Sequence, residues 1–255
     1  MTLRDGRRHP PAPGAPAPAR TRRLSRALEV QEAVKEIIVR RGLTAGDPLP
    51  TESELMEELD TGRNSVREAL KALQAVGIVD IRHGFGMFVG QMSLNGLVDE
   101  LAFHSRIAPQ DEPSHLGHLT DIREILENGL ARRLIDRHGG ADLAELLSPV
   151  REVIEQMEAE ALVGAISPET DRLFHDLLYR PLDNPLVGRL LGAFWQVYYQ
   201  LSDELGSPDE SPASVARKHR DIYTAVINED REAVEVAMGA HFAGIRTRLA
   251  RLRSG

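Results

Sequence analysis

The 255-residue chain contains no cysteine. That excludes disulfides, thiolate metal sites and a cysteine nucleophile, and it agrees with residence in a reducing cytoplasm. No apolar run approaches the roughly 20 residues of a membrane span. The basic N-terminus is followed by no apolar core, so a signal peptide is not expected. A positive charge balance is also missing, the net charge being −8. Taken whole, that figure argues against a nucleic-acid binder, but it loses force because charge is segregated along the chain. At roughly 150 residues per domain the length implies two domains.

Residues 1–23 are rich in Pro, Ala, Gly and Arg, with Arg4, Arg7, Arg8, Arg20, Arg22 and Arg23 set against the single acid Asp5. Few large apolar residues are available to bury, so the segment is expected to be a disordered basic tail. It is either a plain leader or an arm that adds phosphate attraction. Residues 24–90 form the first expected domain. Apolar positions Leu24, Ala27, Leu28, Val34, Ile37 and Ile38 recur at helical spacing until Gly42. A turn cluster fills 43–50, and Thr51 with Glu54 makes a capping box for a short helix to about residue 59. After a tight turn at 60–62, a second short helix is expected over 63–76. Two strands, 78–82 and 87–89, then flank His83-Gly-Phe-Gly.

Helix, helix, turn, helix and hairpin is the order of a winged helix-turn-helix. Such folds present the start of the third helix to base edges. Arg63, Asn64, Ser65 and Arg67 stand there. Arg matches guanine in bidentate fashion and Asn matches adenine. Arg82, His83 and Gly84 stand at the wing. The plain alternative is a helical hairpin with solvated arginines.

Three stretches carry a resemblance: Gly-Asp-Pro-Leu-Pro-Thr-Glu-Ser-Glu-Leu at 46–55, Gly-Arg-Asn-Ser-Val-Arg-Glu-Ala-Leu at 62–70, and Gly-Ile-Val-Asp-Ile-Arg-His-Gly-Phe-Gly-Met-Phe-Val at 77–89. They resemble the DNA-binding domain of the GntR family of regulators. The resemblance implies a homodimer on a short palindromic operator of double-stranded DNA. Arg63, Asn64, Ser65 and Arg67 would read it, with His83 and Gly84 at the wing. Two positions depart from the family pattern: Ser53 replaces a frequent Arg, and Gly62 replaces the usual Ser or Thr before the reading Arg. One phosphate contact and one helix cap are therefore expected to be weaker.

Beyond Gly90 the pattern is helical throughout. Helices are expected near 93–104, 114–138, 141–161, 168–180, 185–205, 211–228 and 230–252, divided by Pro and Gly. The expected fold is mainly α: a winged helix-turn-helix of three helices and a β-hairpin, a linker with a helix at 91–113, and an antiparallel helical bundle at 114–255. The bundle is acidic, which places the negative charge away from DNA.

Asp171 and His175 are four apart and share a helix face, while His219 and His241 fall on the last two long helices. Imidazole and carboxylate together suit a divalent metal. With nine histidines in the chain, accidental pairs are common, so spacing alone leaves the site open. Asp-Arg-Leu-Phe-His at 171–175, Lys-His-Arg-Asp-Ile-Tyr-Thr-Ala-Val at 218–226 and Met-Gly-Ala-His at 238–241 resemble the FCD-type ligand domain of the family's FadR-like branch. That likeness implies a metal held by Asp171, His175, His219 and His241. Zn is preferred, with Ni, Mn and Fe as alternatives. Leu-Thr-Asp-Ile-Arg-Glu-Ile-Leu-Glu at 119–127 resembles the domain's opening helix. It implies that Arg123 meets the carboxylate of a small organic acid, and Asn184 matches a cavity-lining position. The expected protein is a cytoplasmic, non-enzymatic, ligand-responsive regulator, read as a repressor, whose acid effector shifts operator affinity. The alternative is a metal-dependent hydrolase tethered to DNA, against which the sequence offers no general base beyond the ligands.

Overall fold

The computed structural model describes residues 19–107, 115–140, 143–202 and 210–252. Of the basic tail, residues 1–18 lie outside the described residues. The rest of it departs from expectation: α1 (Ala19–Arg40) begins inside the segment assigned to the tail. The chain divides into two compact units, Met1–Ser93 and Leu94–Gly255.

In the first unit, α1 presents Val30, Val34 and Ile37 at i, i+4, i+7 to a core that includes Leu55, Val66, Leu70, Leu73 and Val79. α2 (Glu52–Glu58) starts with the expected capping box: Thr51 Oγ1 accepts from Glu54 N, and Glu54 Oε2 accepts from Thr51 N at 2.7 Å. α3 (Arg63–Ala75) buries Val66, Ala69, Leu70 and Leu73 along one stripe and leaves Arg63, Asn64 and Arg67 exposed. β1 (Val79–Arg82) and β2 (Gly86–Val89) pair antiparallel, Val79 opposite Val89 and Arg82 opposite Gly86. The turn between them needs Gly84 and Gly86, whose φ values are +81° and +109°. The stretch read as a turn cluster does more than turn. It forms a bridge from Pro48 to Phe88, and Leu49 N donates to Met87 O at 2.8 Å.

The cap of α3 is Gly62, which has extended backbone and supplies no side-chain hydrogen bond. A Cβ built there meets nothing within 4 Å. Gly62→Ser is therefore expected to stabilise the start of α3 by about 0.5 kcal/mol, through a new cap and a less flexible unfolded chain. Roughly twofold slower hydrogen exchange at the α3 amides would show it. Unchanged exchange would mean that the helix start is held by packing alone.

The second unit is helical among its described residues: α4 (Asn95–Ile107), α5 (His115–His138), α6 (Leu143–Leu146), α7 (Ser148–Leu162), α8 (Pro168–Tyr179), a 3-10 turn (Arg180–Leu182), α9 (Pro185–Gln200), α10 (Pro212–Ile227) and α11 (Arg231–Leu252). The single helix expected at 141–161 is two. Pro149 has no N–H to give to a running helix and instead sits in the first turn of α7. The main core joins α5, α7, α8, α10 and α11 through Leu134, Ile154, Met157, Phe174, Ile222 and Phe242. α4 belongs to this unit, since its Val98 and Ala102 pack with Leu116, Val197 and Leu249. No helix among the described residues is long and apolar enough to cross a membrane.

Candidate functional site

α8 starts on Ser167, whose hydroxyl accepts from Thr170 N, with Pro168 following in the first turn. One turn in, Asp171 and His175 project from the same face. His219 of α10 and His241 of α11 meet them. The ring centroids lie 5.5 Å apart for His175 and His219, 5.2 Å for His175 and His241, and 4.6 Å for His219 and His241. One ring nitrogen from each histidine falls within 4.8 Å of the other two. Asp171 stands at the edge of this group, touching His219.

The partners of these rings fix their protons. His219 Nδ1 lies 2.8 Å from Val215 O, a carbonyl that can only accept, so Nδ1 carries a hydrogen and a neutral ring keeps its lone pair on Nε2. His175 Nδ1 lies 2.5 Å from Glu127 Oε2, which leaves its Nε2 in the same condition. Both Nε2 atoms are buried with no hydrogen-bond partner. His219 Nε2 is 2.6 Å from Asp171 Oδ1, yet the two lack the alignment of a hydrogen bond, and Oδ1 too is without a partner. Burial keeps His241 well below the ordinary histidine range, helped by the neighbouring His219 and His175, so this ring is neutral. For Asp171 burial works against ionisation. The adjoining His219 and His175 side chains, together with the Arg123 guanidinium, outweigh it and hold the carboxyl below its usual range. Converging lone pairs and a carboxylate cannot satisfy one another. Buried donor atoms of this kind fit a cation, and imidazole nitrogens suit Zn, Ni or Fe.

Beside the triad lies a buried polar group on α5 and α8. Arg123 Nε donates to Glu127 Oε1 at 2.6 Å, while the guanidinium stacks over Trp195 at 4.8 Å and over Phe242 at 5.3 Å. Burial disfavours the Glu127 carboxylate. The His175 imidazole and the Arg123 guanidinium reverse that and hold it well below the usual carboxylate range. Tyr179 donates its hydroxyl to Glu127, and burial, reinforced by the Glu127 charge, keeps the phenol neutral. Arg123 Nη2 remains buried and unpartnered.

Arg123, Asp171, Trp195 and His241 are among the residues that line a cavity of about 620 Å³. Lys218, Glu210, Tyr198 and Arg248 line it too. Residues 241, 244, 245 and 248 of α11 all face it at i, i+3, i+4, i+7 spacing. Ser167 and Pro168 of α8 and Pro212 of α10 also border it, so the positive ends of two helix dipoles adjoin the space.

The neutral His241 has a measurable consequence. Without metal, the folded ring refuses a proton that the unfolded ring accepts below its ordinary value of 6.5. Stability of the metal-free bundle is therefore full above that pH and falls as pH drops through it, by up to about 1.4 kcal/mol per pH unit. Urea unfolding between pH 8 and pH 5 reads the slope. A flat profile would mean that the folded ring takes up its proton as readily as the unfolded one.

In the first unit, Arg63 and Asn64 make no side-chain hydrogen bond among the described residues. Ser65 is half-buried, and Arg67 Nε pairs with Glu52 Oε1 at 3.3 Å. At the hairpin, Arg82 Nε donates to Asp80 at 2.8 Å and its guanidinium covers Phe88 at 4.3 Å. His83 and Gly84 are exposed at the turn, and Phe85 is 82% exposed.

Residues 26–89 match the family of bacterial regulatory proteins called gntR, and residues 118–244 match the FCD domain. The chain belongs to the GntR family, with an FCD ligand domain. Curated relatives agree. The galactonate operon transcriptional repressor of Escherichia coli is 25% identical over 213 residues, covering 83% of this chain and 91% of the relative. The HTH-type transcriptional regulator LutR of Bacillus subtilis is 27% identical over 208 residues, covering 80% and 91%. The HTH-type transcriptional repressor NanR of Cronobacter sakazakii is 31% identical over 157 residues, covering 62% and 58%. A solved GntR protein of Streptococcus agalactiae shares the fold with a TM-score of 0.61 at 21% identity, covering 87% of this chain and 99% of that one.

As a GntR-family member the chain is a DNA-binding regulator, and that membership is consistent with a non-catalytic protein rather than a tethered hydrolase. Of the residues singled out in this GntR chain's ligand half, the structure brings together Arg123, Asp171, His175, His219 and His241. It does not bring Asn184 with them. Asn184 is exposed, does not line the cavity, and uses its Oδ1 to accept from Leu186 N as the cap of α9. The sequence reading passed over Glu127, Tyr179 and Trp195. Glu127 ends the very stretch that singled out Arg123, and the only signal for it was its place four residues on, on the same helix face.

Proposed function

We propose that this protein is a metal-anchored acid sensor that regulates transcription as a homodimer. His175, His219 and His241 hold a divalent ion with Asp171 completing the set, and Arg123 receives the carboxylate of a small organic acid in the adjoining cavity. The ion supplies Lewis acidity and positive charge. The chain supplies orientation, a dry wall and the guanidinium. Binding then shifts the operator affinity of Arg63, Asn64, Ser65 and Arg67, with Arg82, His83 and Gly84 on flanking DNA. The observation that carries this is the set of buried, unpartnered donor and acceptor atoms at one place: Arg123 Nη2, Asp171 Oδ1, His175 Nε2 and His219 Nε2. They offer N–H to an anion and lone pairs to a cation, side by side. The relative that represses a galactonate operon supports a hydroxy acid as the effector class. For the dimer, Ile122 and Ile125 of α5 offer exposed apolar surface.

The test is release of operator DNA by a panel of sugar acids and hydroxy acids that includes galactonate, read by fluorescence anisotropy. One or more acids should release wild-type protein, and Arg123→Ala should need at least tenfold more of the same acid. Equal response of the two proteins would remove Arg123 from the effector site.

A further inference from the structure

We infer that Glu127 is a positioning residue that ties the acid anchor to the histidine triad. The inference rests on reading the triad as a metal site and adds how its geometry is set. The Glu127 carboxylate is fully buried and divided between two partners. Oε1 accepts from Arg123 Nε at 2.6 Å, and Oε2 accepts from His175 Nδ1 at 2.5 Å. Tyr179 donates to the second oxygen at 3.2 Å and also to the Glu127 backbone carbonyl, which fixes the rotation of the carboxyl group.

Two results follow from one side chain. A neutral imidazole has a single proton to place. A carboxylate at Nδ1 puts it there, and Nε2 then turns a lone pair toward His219 and His241. The second result concerns Arg123. Holding Nε on Glu127, with the rings of Trp195 and Phe242 against the guanidinium, leaves Nη2 without a partner and available to an anion. A glutamine at 127 cannot reproduce this. It has one oxygen and one NH2, so it cannot accept from both partners. The amide facing His175 would favour the opposite tautomer, whose Nε2–H points a proton at the place of the ion. A role confined to neutralising buried Arg123 would leave the tautomer of His175 and its affinity for metal untouched.

The chain has a single tryptophan, and the Trp195 ring centroid lies 6.3 Å from that of His175. Quenching of its fluorescence by Ni²⁺ therefore reads occupancy of the triad directly. The experiment titrates Ni²⁺ into metal-free full-length wild type and Glu127→Gln, and records the ¹⁵N shifts of the histidine rings in both metal-free proteins. His175 in the wild type should be the Nδ1–H tautomer. Glu127→Gln should keep its helix content, populate the Nε2–H form and bind Ni²⁺ ten- to a hundredfold more weakly. An Nε2–H tautomer in the wild type overturns the inference, as does a folded Glu127→Gln with wild-type Ni²⁺ affinity. Should the variant not fold, the wild-type tautomer decides alone. If Ni²⁺ neither binds nor quenches in wild type, the metal reading fails, and the tautomer still decides the role of Glu127.

Discussion

Metal-free protein, prepared with a chelator, is expected to melt about ten degrees lower in its helical unit while its winged head melts unchanged. The ligands come from α8, α10 and α11, so an ion bound only by the native state stabilises that unit by mass action. The gain is about 2.7 kcal/mol at a hundredfold excess over Kd and more at higher saturation. For a domain of this size each kilocalorie corresponds to roughly 2–4 °C. The head contributes no ligand and gains nothing. As purified, the protein should hold close to one metal per chain by elemental analysis. His219→Ala should abolish that content and bring the bundle to the metal-free melting temperature. It should bind operator DNA as wild type does, yet no longer release it when an effector acid is added. Full acid response in a metal-free His219→Ala protein would refute the metal-anchored sensor.

The second large effect falls on DNA. Arg63→Ala should cost roughly 1–3 kcal/mol on the cognate operator, about 5- to 150-fold in Kd, and much less on random DNA. Arg63 is exposed at the first turn of α3 and makes no side-chain hydrogen bond among the described residues, so none of those residues competes for it. Arg67 starts from its pair with Glu52, and both side chains are well exposed. Surface pairs of this kind contribute at most about 1 kcal/mol, so DNA can recruit Arg67 cheaply. Glu52→Gln should consequently tighten binding by a fewfold at low salt, an effect that fades as salt rises. Competition anisotropy with specific and scrambled duplexes separates the cases. Equal losses on both duplexes for Arg63→Ala would reduce this arginine to a phosphate contact.

The head was legible because its signals are local. Thr51 and Glu54 write a cap three residues apart, Gly84 and Gly86 write a turn, and α3 writes its apolar stripe at helical spacing. The pairing of Pro48 with Phe88 was not legible, because a bridge between residues so far apart leaves no periodic trace. In the second unit, Asp171 and His175 were readable as neighbours on one face, but spacing could not say that His219 and His241 would join them. Only the family likeness did. Glu127 was hidden for a physical reason. A glutamate four residues after an arginine usually marks a solvated pair on a helix surface, and burial of both charges is a tertiary fact. Asn184 shows the opposite case, its side chain capping α9 and standing apart from the cavity.

The segment beside the wing has a consequence for how the head opens. Two four-residue strands alone are marginal in water. Here Gly46 N and Leu49 N donate to Val89 O and Met87 O, and Val89 N donates back to Asp47 O, so β2 is the middle of three extended segments. One of those segments is the chain that leaves α1 and enters α2. The wing root cannot fray without loosening the connection between those helices, so both should open in a single cooperative step. Amides of Leu49 and Val89 would then exchange only with global unfolding of the head, while those of His83 and Phe85 at the tip exchange freely. The wing would behave as a stiff lever with a soft end, able to adapt its tip to a groove without surrendering the angle at which it leaves the domain.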